Sequence, residues 1–205
     1  KIKEIQIDIP IIEDSISKTI KSFGKINNPT TKRVREQYEE NPYPRWNNII
    51  LKKEDNYNLV IDNDLHPYKT KNFVLGKDSN ILIAGCGSGH HAIQVSYKSQ
   101  DSSITAVDIS LKNLSYAKRK SEELGINNID WLHADILELE DYNKKFECIE
   151  SAGVLHHMED PFKGFLVLKK LLKKNGIMKI GLYSKLVKEQ LVEIKSFIKE
   201  NNYNR

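Results

Sequence analysis

The sequence contains few of the features that mark secreted or membrane-embedded proteins. Its 205 residues include two cysteines, Cys86 and Cys148, which are too few to form a disulfide framework. No apolar stretch reaches the length of a membrane span, and no segment has the pattern of a signal peptide. We therefore predict a cytoplasmic protein with no membrane insertion.

An excess of charge of one sign is also lacking. The chain has 32 basic and 28 acidic residues, which gives a net charge of +4 spread along its length. A nucleic-acid-binding surface usually needs a clustered basic stripe. One lysine cluster lies on the polar face and last turn of a predicted helix, where it favours the helix dipole, and it comprises Lys169, Lys170, Lys173 and Lys174. The sequence therefore predicts no nucleic-acid partner.

Regular patterning is scarce in residues 1–79, which we predict to form an N-terminal arm and lid. The stretch "IQIDIPIIEDSI" predicts either an edge strand or an anchoring arm. The stretch "TTKRVREQYEE" predicts a short helix capped by Thr30 or Thr31, which stops before Pro42. The prolines of "NPYPRW" then exclude helix interior and central strand.

From Asn80 onward, apolar runs alternate with amphipathic stretches. We predict five strands, at "NILIAG", "SITAVDIS", "NIDWLHAD", "FECIESAGV" and "IMKIGLYS". One helix is expected to begin near Ser88. Three further helices are expected to cover "LKNLSYAKRKSEELG", "DPFKGFLVLKKLLKKNG" and "KLVKEQLVEIKSFIKE". This alternation predicts an α/β fold over residues 80–205, with a doubly wound, mostly parallel, Rossmann-like sheet.

A glycine-rich loop follows the first of these strands, in "AGCGSGHHA". Gly85, Gly87 and Gly89 allow a tight turn close to a ligand and leave helix-terminal N–H groups facing it. Asp108 ends the next strand about 20 residues later, where an acid can hold ribose hydroxyls. Asp135 ends the third strand, where it can accept from an adenine amino group. These strand ends predict a site for an adenosine-containing cofactor.

This order of motifs resembles the class I S-adenosylmethionine-dependent methyltransferases, over Asn80 to about Ser184. The stretch "GVLHHMEDP" strengthens the likeness. The resemblance implies S-adenosyl-L-methionine as cofactor and S-adenosyl-L-homocysteine as product. The residues expected to bind the cofactor are Tyr38, Arg45, Trp46, Gly85, Cys86, Gly87, Gly89, His90, Asp108, Ile109, Ser110, Asp135, Ile136, Gly153, Val154 and Leu155.

The loop departs from two related patterns. The family usually has an acid two residues before the first glycine, where it helps to orient the amino group of the cofactor, and this chain has Ile83. That role must pass to another side chain or to backbone carbonyls. A nicotinamide-binding loop would more often be G-x-G-x-x-G, but position 90 is a histidine.

The stretch "NPYPRW" has several interpretations. It is similar to a box of DNA amino-methyltransferases, but that box follows the fourth strand, and here "NPYP" follows a polar helix. We predict instead a lid whose aromatic residues exclude water, with Arg45 pairing with the carboxylate of the cofactor. The alternative is that Trp46 and the prolines only attach the arm to the domain.

The stretches "QYEENPYPRW", "ILIAGCGSGHHAI" and "SAGVLHHMEDP" resemble those of a bacterial group of methyltransferases. Its members often carry tetratricopeptide repeats, and it is similar to rickettsial-type protein-lysine methyltransferases that act on outer-membrane protein. The resemblance implies a protein substrate. Methylation of a small metabolite and a non-catalytic cofactor-binding fragment are the alternatives.

Candidates for catalysis are few. Tyr43 and His156, together with Glu150, are the side chains that we expect to receive or relay the proton of a lysine substrate. The pairs His90–His91 and His156–His157 have no partner at metal-ligand spacing, so no metal is predicted. Cys86 is expected for its small size and Cys148 for packing.

The family usually has two further strands after the last predicted helix, whereas this sequence ends at "NNYNR". We therefore expect a sheet that lacks its C-terminal strands, with the "IMKIGLYS" strand as an edge. A homodimer or a further C-terminal region would complete that sheet.

Overall fold

The structure, a computed structural model, describes residues 3–40, 45–51, 56–68, 73–184, 192, 194 and 196–201. Within these residues six strands form one sheet, in the order β1-β4-β3-β2-β5-β6. The strands are β1 (Lys21–Ser22), β2 (Asn80–Ala84), β3 (Ser103–Asp108), β4 (Ile129–His133), β5 (Phe146–Ala152) and β6 (Leu172–Gly181). Every pair of neighbouring strands runs parallel, which confirms the predicted fold class.

Helices cover both faces of this sheet. They are α1 (Ile9–Ser17), preceded by a π-helical turn at Glu4–Asp8, then α2 (Pro29–Glu40), α3 (Tyr57–Leu65), α4 (His90–Lys98), α5 (Leu111–Glu123) and α6 (Pro161–Leu171). Short 3-10 helices follow β4 at Ile136–Asp141 and β5 at Leu155–His157.

The alternation of side chains in β2 divides the interior into two hydrophobic clusters. Ile81 and Ile83 belong to one cluster, with residues of α4 and α5, whereas Leu82 and Ala84 belong to the other, with residues of α6. All four side chains are buried. A strand that is covered on both faces must be apolar at every position, which is why "NILIAG" reads as a continuous apolar run.

Of the two alternatives for "IQIDIPIIEDSI", the edge strand is wrong, because this stretch is helical. The anchoring arm stays a prediction. The more buried positions of this stretch include Ile9, Glu13 and Ile16, a spacing of three or four residues that places them on one face of α1. That face packs on α5. The strand at this edge of the sheet is the two-residue β1, which pairs with Leu132 and His133.

Two predicted helix boundaries are also corrected. The cap of α2 is Asn28 and not Thr30 or Thr31, because the Asn28 side-chain oxygen accepts from both of their backbone N–H groups, at 2.9 and 3.0 Å. Helix α6 ends at Leu171 and not near Lys174. Leu172 already pairs with Phe146 in the sheet, so two of the four clustered lysines, Lys173 and Lys174, lie in β6.

Candidate functional site

A cavity of about 590 Å³ opens at the carboxyl ends of β2, β3 and β5. The predicted site residues that line it are Tyr38, Trp46, Gly85, Cys86, Gly87, His90, Asp108, Ile109, Asp135, Ile136, Gly153 and Val154. Lining residues that the sequence did not predict as cofactor contacts include Thr30, Val34, His91, Glu150, Met158 and Tyr183. Arg45, Gly89, Ser110, Leu155 and His156 are not in the lining, and Tyr43 lies outside the described residues.

The glycine loop joins β2 to α4 and is shaped by close packing. Gly85 has a φ of +78°, and a Cβ added there would overlap the side chain of Val154. The first N–H groups of the loop have partners within the protein, since those of Gly85 and Cys86 donate to the carbonyl of Val107, at 2.8 and 2.9 Å. This part of the loop therefore contributes shape and close approach to the cavity. The role of the helix-terminal N–H groups stays a prediction.

Asp108 lies at the end of β3 with its carboxylate fixed by the backbone. Its Oδ2 accepts from the N–H of Gly87 at 2.8 Å, and its Oδ1 accepts from the N–H of Ser110 at 2.9 Å. Burial raises the pKa of this carboxyl, and the two backbone hydrogen bonds partly offset the rise. A side-chain hydrogen bond with Asn113 also lowers the pKa. A carboxylate has about four acceptor positions, so after these three hydrogen bonds the group can still accept from a donor in the cavity.

Asp135 follows β4 and has a structural role of its own. Its Oδ1 accepts from the N–H of Leu137 at 3.0 Å and so caps the 3-10 helix that begins at Ile136. The side chain is buried, and it lines the cavity together with Ile136. Asp135 and Ile136 therefore offer an acceptor and an apolar surface side by side.

The arm reaches the cavity through Trp46. Its indole Nε1–H donates to the carbonyl of Ser88 in the glycine loop at 3.0 Å, and its ring packs edge-on against that of His90 at 5.3 Å. The Tyr116 hydroxyl donates to the backbone carbonyl of Trp46. These contacts attach the segment before β2 to the glycine loop, which suits both a lid and a simple attachment.

Arg45 points away from the cavity. Its guanidinium lies 3.5 Å from Glu13 of α1 and over the ring of Tyr116 at 5.5 Å. Glu13 also pairs with the buried Arg119 of α5, at 3.0 Å. In this arrangement Arg45 belongs to an ion-pair network between α1 and α5, and its role toward a cofactor carboxylate stays a prediction.

On the other side of β2, Glu150 and His91 form a close pair. Nε2 of His91 lies 2.5 Å from Oε2 of Glu150, and Glu150 is a registered neighbour of Ile83 in the sheet. Burial raises the pKa of Glu150, whereas burial and then the charge of Lys179 lower the pKa of His91 to about 4. At alternate positions β5 has Phe146, Cys148, Glu150 and Ala152, and the acidic residue in that otherwise apolar row is the sequence signal for Glu150.

The loop after β5 lines the opposite end of the cavity. Gly153, with a φ of +75°, leaves open space where a Cβ would be, and Tyr183 is 63% exposed. His156 lies behind this surface with its ring 4.1 Å from that of Tyr183. Burial raises the pKa of the Cys86 thiol and that of the Cys148 thiol, the latter to about 12, which disfavours the reactive thiolate form.

Within the described residues, no group of three or more His, Cys, Asp or Glu side chains is arranged to hold a metal ion. In the same part of the chain, none of the helices combines the length and apolarity needed to cross a membrane.

Comparison with known proteins gives consistent matches. Residues 75–205 match the family described as "Methyltransferase domain". A ubiquinone biosynthesis O-methyltransferase of Rickettsia canadensis is 30% identical over 114 residues, which are 56% of this chain and 47% of that protein. The chain spans about a quarter to a half of the length of the curated relatives that it matches.

Two solved structures extend the comparison. The [4+2]-cyclase SpnF is 21% identical, with a TM-score of 0.53 over 78% of this chain and 62% of that one, which supports the fold alone. PKMT2 from Rickettsia typhi, solved in complex with AdoHcy, is 30% identical, with a TM-score of 0.46 over 49% of this chain and 20% of that one.

Proposed function

Because the chain belongs to the methyltransferase domain family, with the class I S-adenosylmethionine-dependent fold, we propose that it transfers a methyl group from S-adenosylmethionine to a lysine side chain of a protein. The single observation that best supports S-adenosylmethionine as the cofactor is the pair of buried carboxylates, Asp108 and Asp135, at the ends of β3 and β4. They lie beside the glycine loop of β2 and line one cavity with it.

The residues of the cavity fit this cofactor. Its volume of about 590 Å³ lies within the range usual for ligand sites, roughly 300–1,000 Å³. Asp108 retains acceptor capacity for ribose hydroxyls, and Asp135 with Ile136 provides an acceptor and an apolar surface for adenine. We place the methionine end of the cofactor beside Gly153 and Val154, on the other side of the glycine loop.

When bound, the cofactor supplies a methyl group activated for in-line displacement. The chain has to hold the acceptor in line and keep water out. Alignment of this kind is worth roughly 7–11 kcal/mol of a reaction barrier. We assign the exclusion of water to Trp46, which is attached to the glycine loop, and to Tyr38, which lines the same cavity.

The protein-lysine substrate rests on the motif likeness and on the shape of the acceptor side. In the described residues that side is open at Gly153 and exposed at Tyr183, which suits a long side chain presented by a macromolecule. A lysine ammonium, with a reference pKa of about 10.4, must lose a proton before it can accept the methyl group. His156, close to Tyr183, and Tyr43 are the proposed relays.

The second candidate is methylation of a small molecule. It is favoured by the likeness to the O-methyltransferase of ubiquinone biosynthesis, which covers 56% of this chain. A phenolic acceptor would have to be enclosed against the Tyr183 side of the cavity. A non-catalytic cofactor-binding fragment is the third possibility, and it differs from the others in giving no transfer.

The test is to incubate the chain with S-adenosylmethionine carrying a tritiated methyl group, together with cell-envelope protein or with a small-molecule extract. Label in protein that survives acid hydrolysis as methyl-lysine supports the proposal. Label in small molecules would replace it with the second candidate. Cofactor binding in calorimetry without transfer to either would select the non-catalytic alternative.

A further inference from the structure

The described cavity has one buried carboxyl on the side of β2 away from Asp108. Glu150 lies near the end of β5, its side chain is 6% exposed, and it lines the cavity. In the part of the chain that the structure describes, the hydrogen-bond partner of this carboxyl is His91, at 2.5 Å. Burial of a charged side chain in a strand costs free energy unless the charge is paired, so the position of Glu150 indicates a functional role.

The surroundings of Glu150 leave room for another cation. Burial raises the pKa of Glu150 and lowers that of His91, so burial disfavours the charged form of both groups. The neighbouring Lys179 lowers the pKa of Glu150, but its ammonium is bound to Asp64 at 2.5 Å. A second positive charge reaching the carboxyl from the cavity would stabilise its ionised form.

The strand order decides which part of a ligand meets which acid. In the sheet, where the strands lie in the order β4-β3-β2-β5, Asp135 and Asp108 are on one side of the glycine loop and Glu150 is on the other. A molecule that places its adenosine part on the two aspartates and crosses the loop brings its far end toward Glu150. In S-adenosylmethionine that far end carries an α-ammonium group.

From this arrangement, and resting on the proposed function, we propose that Glu150, held in place by His91, binds the α-ammonium group of S-adenosylmethionine. Ile83 is the registered neighbour of Glu150 on β2, and side chains of paired residues point to the same face of a sheet. An acid at position 83 would therefore reach the same region of the cavity. This geometry supplies a rescue experiment.

The test compares Glu150→Gln with the unchanged chain in calorimetric titrations. The probes are S-adenosylhomocysteine and 5′-methylthioadenosine, which has no amino-acid part. Loss of a charge-assisted hydrogen bond should weaken S-adenosylhomocysteine binding roughly 10- to 100-fold and leave methylthioadenosine binding unchanged. Glu140→Gln, an exposed glutamate outside the cavity lining, is the matched control and should change neither affinity.

Two further variants protect the test against misfolding. Ile83→Asp combined with Glu150→Gln should recover much of the lost affinity for S-adenosylhomocysteine. His91→Phe keeps the buried glutamate and a ring at position 91 but removes the hydrogen-bond partner, at a position that is 45% exposed, and it should weaken the same ligand about threefold or more. Unchanged S-adenosylhomocysteine affinity in a folded Glu150→Gln or His91→Phe protein overturns the inference.

The outcomes also separate this inference from the proposed function. If the unchanged chain binds S-adenosylhomocysteine and methylthioadenosine equally well, the amino-acid part has no specific site and the inference fails alone. If the unchanged chain binds neither compound, the proposed function fails with it.

Discussion

Replacing Asp108 by asparagine should separate the structural task of this carboxylate from its task in ligand binding. Both of its oxygens accept from the backbone, one from the N–H of Gly87 and the other from that of Ser110. Asparagine keeps one acceptor, and its NH₂ group would face the second N–H donor. One buried donor would thus lose its partner while the shape of the site stays the same.

The expected loss of stability is small. An unsatisfied buried donor costs about 1–3 kcal/mol. Part of this cost is recovered, because burial already disfavours the charged form of Asp108, as its raised pKa indicates, and a neutral amide avoids that penalty. We expect the free energy of unfolding to fall by about 1 kcal/mol. Binding should suffer more, since the carboxylate acceptor for ribose hydroxyls is lost, and affinity should fall roughly 10- to 100-fold.

The assay has two readouts on the same protein. Urea unfolding gives the free energy of unfolding, and calorimetric titration with S-adenosylhomocysteine gives the affinity. Asp130→Asn, on the exposed side of β4, is the matched control and should change neither. An Asp108→Asn protein that folds and binds S-adenosylhomocysteine as tightly as the unchanged chain would refute the placement of the ribose at Asp108.

Three other perturbations follow from the same structure. The pKa of His91 is lowered to about 4 from 6.5, so the native protein binds fewer protons than the unfolded chain between these values. This histidine therefore lowers the free energy of unfolding as the pH falls from about 6.5 to 4. Urea unfolding at pH 7 and pH 5 should show a smaller loss of stability with falling pH in His91→Gln than in the unchanged chain. Equal losses in the two proteins would contradict the assignment. Arg119→Met should lower the free energy of unfolding by about 3 kcal/mol, because it leaves the buried Glu13 without its main cation. The double variant with Glu13→Gln should lose less stability than the sum of the losses in the two single variants. Gly85→Ala should destabilise the chain more than Gly125→Ala in thermal unfolding, because both have a positive φ but only the first would overlap a neighbouring side chain, and equal losses would show that backbone strain alone decides.

Most of the parallel sheet could be predicted because its strands are buried on both faces. "NILIAG" and "SITAVDIS" are apolar runs whose ends fall where β2 and β3 end, within a few residues. The N-terminal segment was harder. In "IQIDIPIIEDSI" polar and apolar residues alternate almost as in a strand, and the choice of a helix is made by packing on α5. The end of α6 was also hidden, because Leu172 continues a helical pattern but pairs with Phe146.

Some residues of the candidate site could be predicted from the sequence and others could not. Residues at strand ends, such as Asp108 and Asp135, could be predicted because the carboxyl ends of parallel strands meet at one edge of a sheet. Arg45, expected at the cavity, instead pairs with Glu13, which is 32 residues away in sequence. The contact between His91 and Glu150 had no sequence signal beyond an isolated charge, since it joins positions 59 residues apart.

From Asn80 onward, the sequence by itself determined the order of strands and helices along the chain, the glycine loop and the acids that follow it, because hydrophobic periodicity and backbone conformation act over a few residues. Only the tertiary structure decided which distant side chains share an environment. It placed Glu150 beside Ile83 and against His91, and it joined Arg45 to the network between α1 and α5. Strand register and helix packing fix such contacts, and both depend on the burial of the whole chain rather than on any local stretch.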